Sequence, residues 1–490
     1  MASQSLSTLA NASPFAAPAT EHIVSELLKK FPAQVFEQDH PRYEALRNSF
    51  WSGYQKAVKP RCFFQPHSAE DLSQAVALCA TTKCPFGVKS GGHGHFAGQS
   101  SVEGGIQLDL VKLDAFQINR SEGTVLVGPG NRWASVYERL QKESLMVVGG
   151  RAANVGVGGY LVGGGISFYA ARHGWGIDNV RSFEIVLADG RIVTASATSE
   201  PSLYRALRGG GSNFGIITSF ELEARPYKGM WGGRTVIDNK YSKQALAAYV
   251  DFVGKQGAHP DGHTIFIATY DEGPLRLLQY MVYTEPERDL PMFDKLRKVP
   301  TIESSLGLTD YTDLAQNIAG LQDGSGFRAG VATVTLKLDE DMFNFAYEVF
   351  VEVAGPKSDI INATMEFHAI PQTTNPAGNR FGLEGADGPL VSFLLIFVTE
   401  DARHDPEVTQ TMKTIIARVE EEAKKRGLYH PFIFANYAAE WQAVIPSYGD
   451  ANRRFLTDVA NVYDPEQTFQ TLQSGSFKIK GLDNARQLKM

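Results

Sequence analysis

Cysteine is scarce in this sequence: Cys62, Cys79 and Cys84 are the only three in 490 residues. So small and odd a number, at spacings that fit no zinc pattern, excludes a disulfide framework and leaves core thiols, with a Cys79–Cys84 bridge still open. Long apolar runs are lacking too, and with them any segment able to span a bilayer, so no membrane partner is expected. Met1 to Thr20 has neither a basic start nor a continuous apolar stretch, which reads as no secretory signal and an intracellular, cytoplasmic chain. A basic excess is also missing. The formal net charge of −7 provides no face for a phosphate backbone, so nucleic acid is excluded as a partner. No G-x-x-x-x-G-K-[ST] loop and no G-x-S-x-G elbow occurs, which removes P-loop nucleotide hydrolysis and α/β-hydrolase chemistry.

What the chain does have is apolar mass and glycine. With 43% hydrophobic and 21% charged residues it is a globular protein, too long for one ordinary core, so two or more domains are expected. Glu21 to Phe31 has helical apolar spacing and stops at Pro32. Ser68 caps a helix that runs to about Thr81, and short strands follow at 85–89, 106–110 and 124–127. Asp189-Gly190 marks a hairpin turn within Ser182 to Val193. Asp405-Pro406 opens a long amphipathic helix to Lys425, with Asp405 as the cap, and another helix covers Asp450 to Val459. Mixed short strands and helices predict an α+β fold. The expected division is a leader and helix over 1–56, a two-part ligand-binding domain over 57–227, a substrate domain over 228–446 with an antiparallel sheet covered by helices, and a returning segment over 447–480.

Two glycine clusters stand out. Between Val147 and Gly176 glycine alternates with Val, Leu and Ile, a pattern of packed backbone and not of a linker, and Gly209 to Gly215 repeats the theme. Gly92-His-Gly-His-Phe-Ala97 formally matches the dinucleotide fingerprint, but Gly98, Gly104 and Gly105 interrupt the helix that a Rossmann fold needs there. His93 and His95 share a spacing that a metal could use, yet no third ligand is clustered with them, so no metal is assigned. Consecutive glycines let backbone N–H groups converge on an anion, and a pyrophosphate is the natural guest.

These residues resemble a known family. Lys89-Ser-Gly-Gly-His93, Val155-Gly-Val-Gly-Gly159 with Gly163-Gly-Gly165, Trp175-Gly-Ile-Asp-Asn-Val180, and Leu207-Arg-Gly-Gly-Gly-Ser-Asn-Phe-Gly-Ile-Ile-Thr218 are similar, in order, to motifs of the berberine bridge enzyme-like FAD-linked oxidases, with the PCMH-type FAD-binding domain of the vanillyl-alcohol oxidase superfamily. Tyr448-Gly449, Asn452-Arg453 and Tyr463-Asp-Pro465 resemble that family's closing segment. The resemblance spans Pro60 to Phe477 and implies FAD as cofactor. The binding residues it implies are Lys89, Ser90, Gly91, Gly92, His93, Gly94, His95, Val155, Gly156, Gly158, Gly159, Gly163, Asn179, Val180, Ile217, Asn436 and Tyr437. It further implies a covalent bond from His93 to the flavin 8α carbon. A second, cysteinyl link is absent here, because Ala152 stands at the cysteine position in Gly150-Arg-Ala152-Ala-Asn-Val-Gly156.

Val155 falls where a valine in relatives goes with access of dioxygen, and Tyr160 where many have a histidine; each has a plain packing alternative. Flavin oxidation needs a hydride donor over N5 and a base for the associated proton. By resemblance Asn436-Tyr437 lies beside the ring, so Tyr437 is the first candidate base, one that would need a nearby positive charge. Glu366 and His368 share one face of a strand at period two, either as an acid/base pair or as a surface pair. The expected activity is oxidation of a small organic molecule, a secondary metabolite, with dioxygen as acceptor. A carbohydrate or alcohol oxidase, a cyclase without net oxidation, and a non-catalytic flavin binder remain as alternatives.

Overall fold

Local signals and observed elements agree closely at the Ser68 cap and along the short strands, and less closely at the ends of the later helices. The computed structural model describes residues 16–271, 273–288, 290–321, 327–371, 378–475 and 477–479; the first fifteen residues of the polar leader lie outside them. Ser68 caps the helix Ala69–Thr82, its hydroxyl accepting from the Asp71 N–H at 3.1 Å. Strands form at Phe86–Lys89, Ile106–Asp109 and Thr124–Val127. The hairpin pairs Val180–Val186 with Ile192–Ser196, Gly190 taking φ 85° in its loop. The long helix does span Asp405–Lys425, but its cap is His404. Asp405 is instead the first helical residue, its carboxylate gripped by Arg328 at 2.7 and 2.6 Å. The helix from Asp450 continues to Tyr463, beyond the expected end. All three cysteines are buried and unbonded, so the Cys79–Cys84 bridge does not form.

Three larger sheets organise the molecule. Val35–Glu37, Cys62–Phe64, Ile106–Asp109 and Phe86–Lys89 form the first, parallel except at its Val35–Glu37 edge. The second is antiparallel, in the order Phe116–Asn119, Thr124–Val127, Ile216–Glu223, Val180–Val186, Ile192–Ser196. No helix interrupts 90–105, as the rejection of a Rossmann turn requires.

The third sheet has nine antiparallel strands, and its pleat sorts the side chains. From strand Gly262–Tyr270, Phe266 and Ala268 join Met365 and Phe367 of the neighbouring Asn362–Ala369 under the helices Ser242–Gly254, Glu340–Ala354 and Asp405–Lys425. Ile265 and Ile267 point the other way, into the core shared with the glycine-rich region. The chain end returns to the first sheet: Phe86 N–H donates to Leu472 O at 3.0 Å and Ser474 N–H to Phe86 O at 2.8 Å. Among the described residues no helix is long and apolar enough to cross a membrane.

Candidate active site

Two glycine loops meet so closely that only glycine fits at the contact. A Cβ on Gly91 would lie 2.4 Å from Gly156 Cα, and one on Gly156 would lie 2.5 Å from Gly91 Cα. Ser90 locks the first loop by donating from its hydroxyl to Pro129 O at 2.5 Å. Together the loops floor a cavity of about 350 Å³. Ser90, Gly91, Gly92, His93, Gly94 and His95 line it from one loop; Ala152, Val155, Gly156, Gly158, Gly159, Tyr160 and Gly163 line it from the other. Ile217 and the second glycine cluster, through Gly209 and Gly211, extend the floor. The donor chemistry of this cradle, exposed backbone with few side chains, fits a pyrophosphate.

His93 stacks on Trp51, ring centroids 4.4 Å apart at 11°, and its buried Nε2 has no partner among the described residues. Burial, with the Arg132 guanidinium nearby, pushes its pKa down to about 4, so the imidazole is neutral at pH 7 with a lone pair to offer. His95 is also buried, and its Nε2 donates to Ala438 O at 2.9 Å, tying this loop to the 3-10 turn Ala435–Tyr437. From that turn Asn436 covers Gly163, where a Cβ would meet its Oδ1, and donates to Tyr160 O at 3.0 Å. The Tyr160 ring packs edge-on against Trp133 while its hydroxyl finds no partner among the described residues.

Opposite the floor stands the nine-stranded sheet, and where it meets the glycine-rich loop a polar knot is built around Arg151 of that loop. Nη1 donates to His263 Nε2 at 3.0 Å and to His368 Nδ1 at 3.1 Å, and Nη2 donates to the Tyr437 hydroxyl at 2.6 Å. Because His368 accepts at Nδ1, its Nε2 carries the hydrogen and donates to Glu366 Oε2 at 2.6 Å. Burial, then the Arg151 charge, lowers the pKa of both histidines and holds them neutral. Tyr437 is pushed above its ordinary range by burial; Arg151 opposes that push and Glu366 adds to it.

Several expectations change. Glu366 and His368 are 6% and 2% exposed and face the cavity, so the surface-pair alternative fails. Lys89, Asn179 and Val180 do not line the cavity. Lys89 points beneath the loop into a buried ion pair with Asp109 at 3.1 Å, because a buried ammonium needs its counter-charge. Asn179 donates to His173 O and Trp175 O at 2.9 and 2.8 Å, holding a turn, and Val180 is core. Arg151, His263 and Trp51 escaped sequence reasoning. Arg151 alone carried a signal, as the one charged residue between Val147 and Ala171.

Known proteins resemble this chain in sequence and in fold. The family model described as an FAD binding domain matches residues 60–196. The FAD-dependent monooxygenase tpcD of Cochliobolus heterostrophus is 33% identical over 473 residues, covering 90% of each chain. Among solved structures, a variant of berberine bridge enzyme in complex with (S)-reticuline superposes with TM-score 0.74 at 18% identity over 92% of this chain and 98% of that one. Glucooligosaccharide oxidase from Acremonium strictum, which carries a 6-S-cysteinyl, 8α-N1-histidyl FAD, gives 0.76 at 19% identity over 92% and 99%. At such identities the structures speak for fold alone, a berberine bridge enzyme-like one, but the tpcD match extends along nearly the whole chain, and this protein belongs to the family of FAD-dependent oxidoreductases that includes that monooxygenase.

Proposed function

We propose that the protein is an FAD-dependent oxidase of a small organic molecule of secondary metabolism, with dioxygen as electron acceptor and His93 as the sole covalent anchor of the flavin. The observation that carries this reading is one cavity that joins the glycine cradle to a sheet wall and sets Tyr437 against Arg151 at their junction. Bound FAD supplies the hydride acceptor. The loop from Ser90 to Gly94 and residues Gly156 to Gly159 would hold its pyrophosphate, with Ile217, Asn436 and Gly163 shaping the rest of the cradle. His93, neutral and stacked on Trp51, supports the covalent bond by presenting a nucleophilic nitrogen. Ala152 has no group to form a second link. Val155 lines the cavity as a small aliphatic side chain, which supports access of dioxygen.

Tyr437 is the group placed to exchange a proton with substrate. In the resting protein it is protonated, since burial outweighs the neighbouring guanidinium. Once a substrate oxygen stands beside it, Arg151 stabilises the negative charge on either of the two oxygens, which keeps the proton transfer near balance. His368 positions the guanidinium, and Glu366 fixes the tautomer of His368. Tyr160, with its free hydroxyl, is a further donor toward bound ligand.

Acid precipitation followed by peptide mapping tests the anchor: flavin mass on the His93 peptide is expected, and a colourless pellet with free FAD removes covalency. Anaerobic bleaching of the flavin by substrate tests hydride transfer. A monooxygenase is the second reading, favoured by the name of the tpcD relative. Turnover under ¹⁸O₂ separates them, since peroxide release with unlabelled product is the oxidase outcome.

A further inference from the structure

Among the described residues three lysine or arginine side chains are buried, and Arg151 differs from the other two. Lys89 faces the Asp109 carboxylate and Arg208 the Asp178 carboxylate, each at 3.1 Å. Arg151, only 8% exposed, touches two imidazoles and a phenol, and no carboxylate among the described residues. Both imidazoles are held neutral, so neither shares nor cancels its charge. Glu366 balances it only from the far side of His368. A guanidinium taken from water and left uncapped projects a positive potential into the cavity it lines, which an anionic oxygen would satisfy. Its bonds to His263, His368 and Tyr437 use three of the five N–H donors of a guanidinium, which leaves donors for that bond.

Away from Arg151, Glu366, His368 and Tyr437 the wall is mainly aliphatic. Ile265, Ile267, Val331, Leu394, Ile396 and Ile318 all line the same cavity. A sugar carries hydroxyls on every side, and each one turned toward such a wall would lose its water partners without replacement. An apolar ring with a single acidic oxygen meets no such loss.

We propose that Arg151 is the substrate's anion seat: it takes an acidic oxygen, that of a phenol, enol or carboxylate, of an otherwise apolar molecule packed on the aliphatic wall. This rests on the oxidase reading for its setting but not for its test. His263 and His368 act as positioning residues that keep the guanidinium aimed into the cavity.

The holoenzyme is titrated with umbelliferone, whose fluorescence excitation distinguishes phenol from phenolate, with its methyl ether, and with 2-naphthoate. Umbelliferone is expected to bind as the phenolate, its apparent pKa lowered by about one unit on the protein, and to bind about tenfold or more tighter than the methyl ether. Arg151→Met should remove that preference and leave the methyl ether's affinity unchanged; Arg151→Lys, keeping the charge without the fork, should retain part of it. Displacement of the phenolate by 2-naphthoate assigns carboxylates to the same seat, and failure to displace restricts it to phenols and enols. Equal binding of umbelliferone and its methyl ether to the unmodified protein overturns the proposal, and is the outcome if Arg151 serves only the cofactor. No turnover enters the measurement. A protein that ionises the probe but is never reduced by a substrate keeps the seat and loses the oxidase reading, and one that oxidises substrates without discriminating the probes does the reverse.

Discussion

The two walls of the cavity are made of different material. The cradle is largely backbone, pressed together at Gly91 and Gly156, with a few side chains such as His93, Val155 and Tyr160 among its glycines. The sheet wall is side chain, alternate residues of its central strands, with Glu366 and His368 gathered against Arg151 of the glycine-rich loop and Tyr437 of the 3-10 turn. A backbone surface admits one residue type at its contacts and tolerates nothing larger. A side-chain surface can exchange one aliphatic group for another of similar volume. The cradle is therefore where change should be fatal, and the wall where change should retune.

Gly156→Ala should show the largest effect. Its Cβ would sit 2.5 Å from Gly91 Cα, and neither backbone can yield without opening the cradle, a strain of about 3 kcal/mol or more. The expected product is folded or partly folded protein with little flavin, read as the ratio of visible to protein absorbance. Wild-type flavin content in this variant would break the distinction between the two walls.

That contrast also explains what could be read beforehand. Glycines demanded by close backbone approach stay visible in a linear string, because the constraint is local to the loop that bears them. The alternation through Met365, Glu366, Phe367 and His368 reveals a strand with two faces, yet nothing in it says which face meets a cavity and which meets helices. Arg151 acquires its role from His263 and His368, residues 112 and 217 positions away in the chain, and no spacing rule reaches so far. Lys89 shows the converse: it stands within a motif that the resemblance associates with the cofactor, but its side chain turns to Asp109.

Tyr437→Phe comes next. If the hydroxyl exchanges the substrate proton, kcat should fall about a hundredfold with KM little changed. Loss of the alkaline dependence of kcat should accompany it, since no other cavity phenol touches Arg151 among the described residues. A fall in affinity alone would leave the tyrosine as packing.

Acid sensitivity is smaller and reaches beyond the cradle. Burial pushes His95 down to about 4, and His173 likewise, with Arg225 and Arg172 assisting. The unfolded chain protonates these side chains near pH 6.5 while the folded protein refuses the proton down to about 4. Between those limits the unfolded state binds more protons, so stability falls as pH falls, by up to about 1.4 kcal/mol per pH unit for His95 and by less for the half-exposed His173, and is flat above pH 7. His95→Gln, which keeps a donor toward Ala438 O, should reduce that slope in denaturant titrations from pH 7 to 4. An unchanged slope would mean that the histidines titrate normally in the folded protein.

The smallest effect belongs to the aliphatic wall. Ile267→Val removes one methylene from a residue that faces the cavity on one side and lies between Glu366 and Leu278 in the sheet. Stability should drop by about 1 kcal/mol or less. Discrimination among apolar substrates should shift by no more than roughly tenfold, appearing mainly in KM because the lost contact is made equally before and during reaction. A hundredfold loss of kcat from this change would show that the wall sets the reacting geometry as strictly as the cradle does, and the division between an intolerant backbone floor and an adjustable side-chain wall would fall with it.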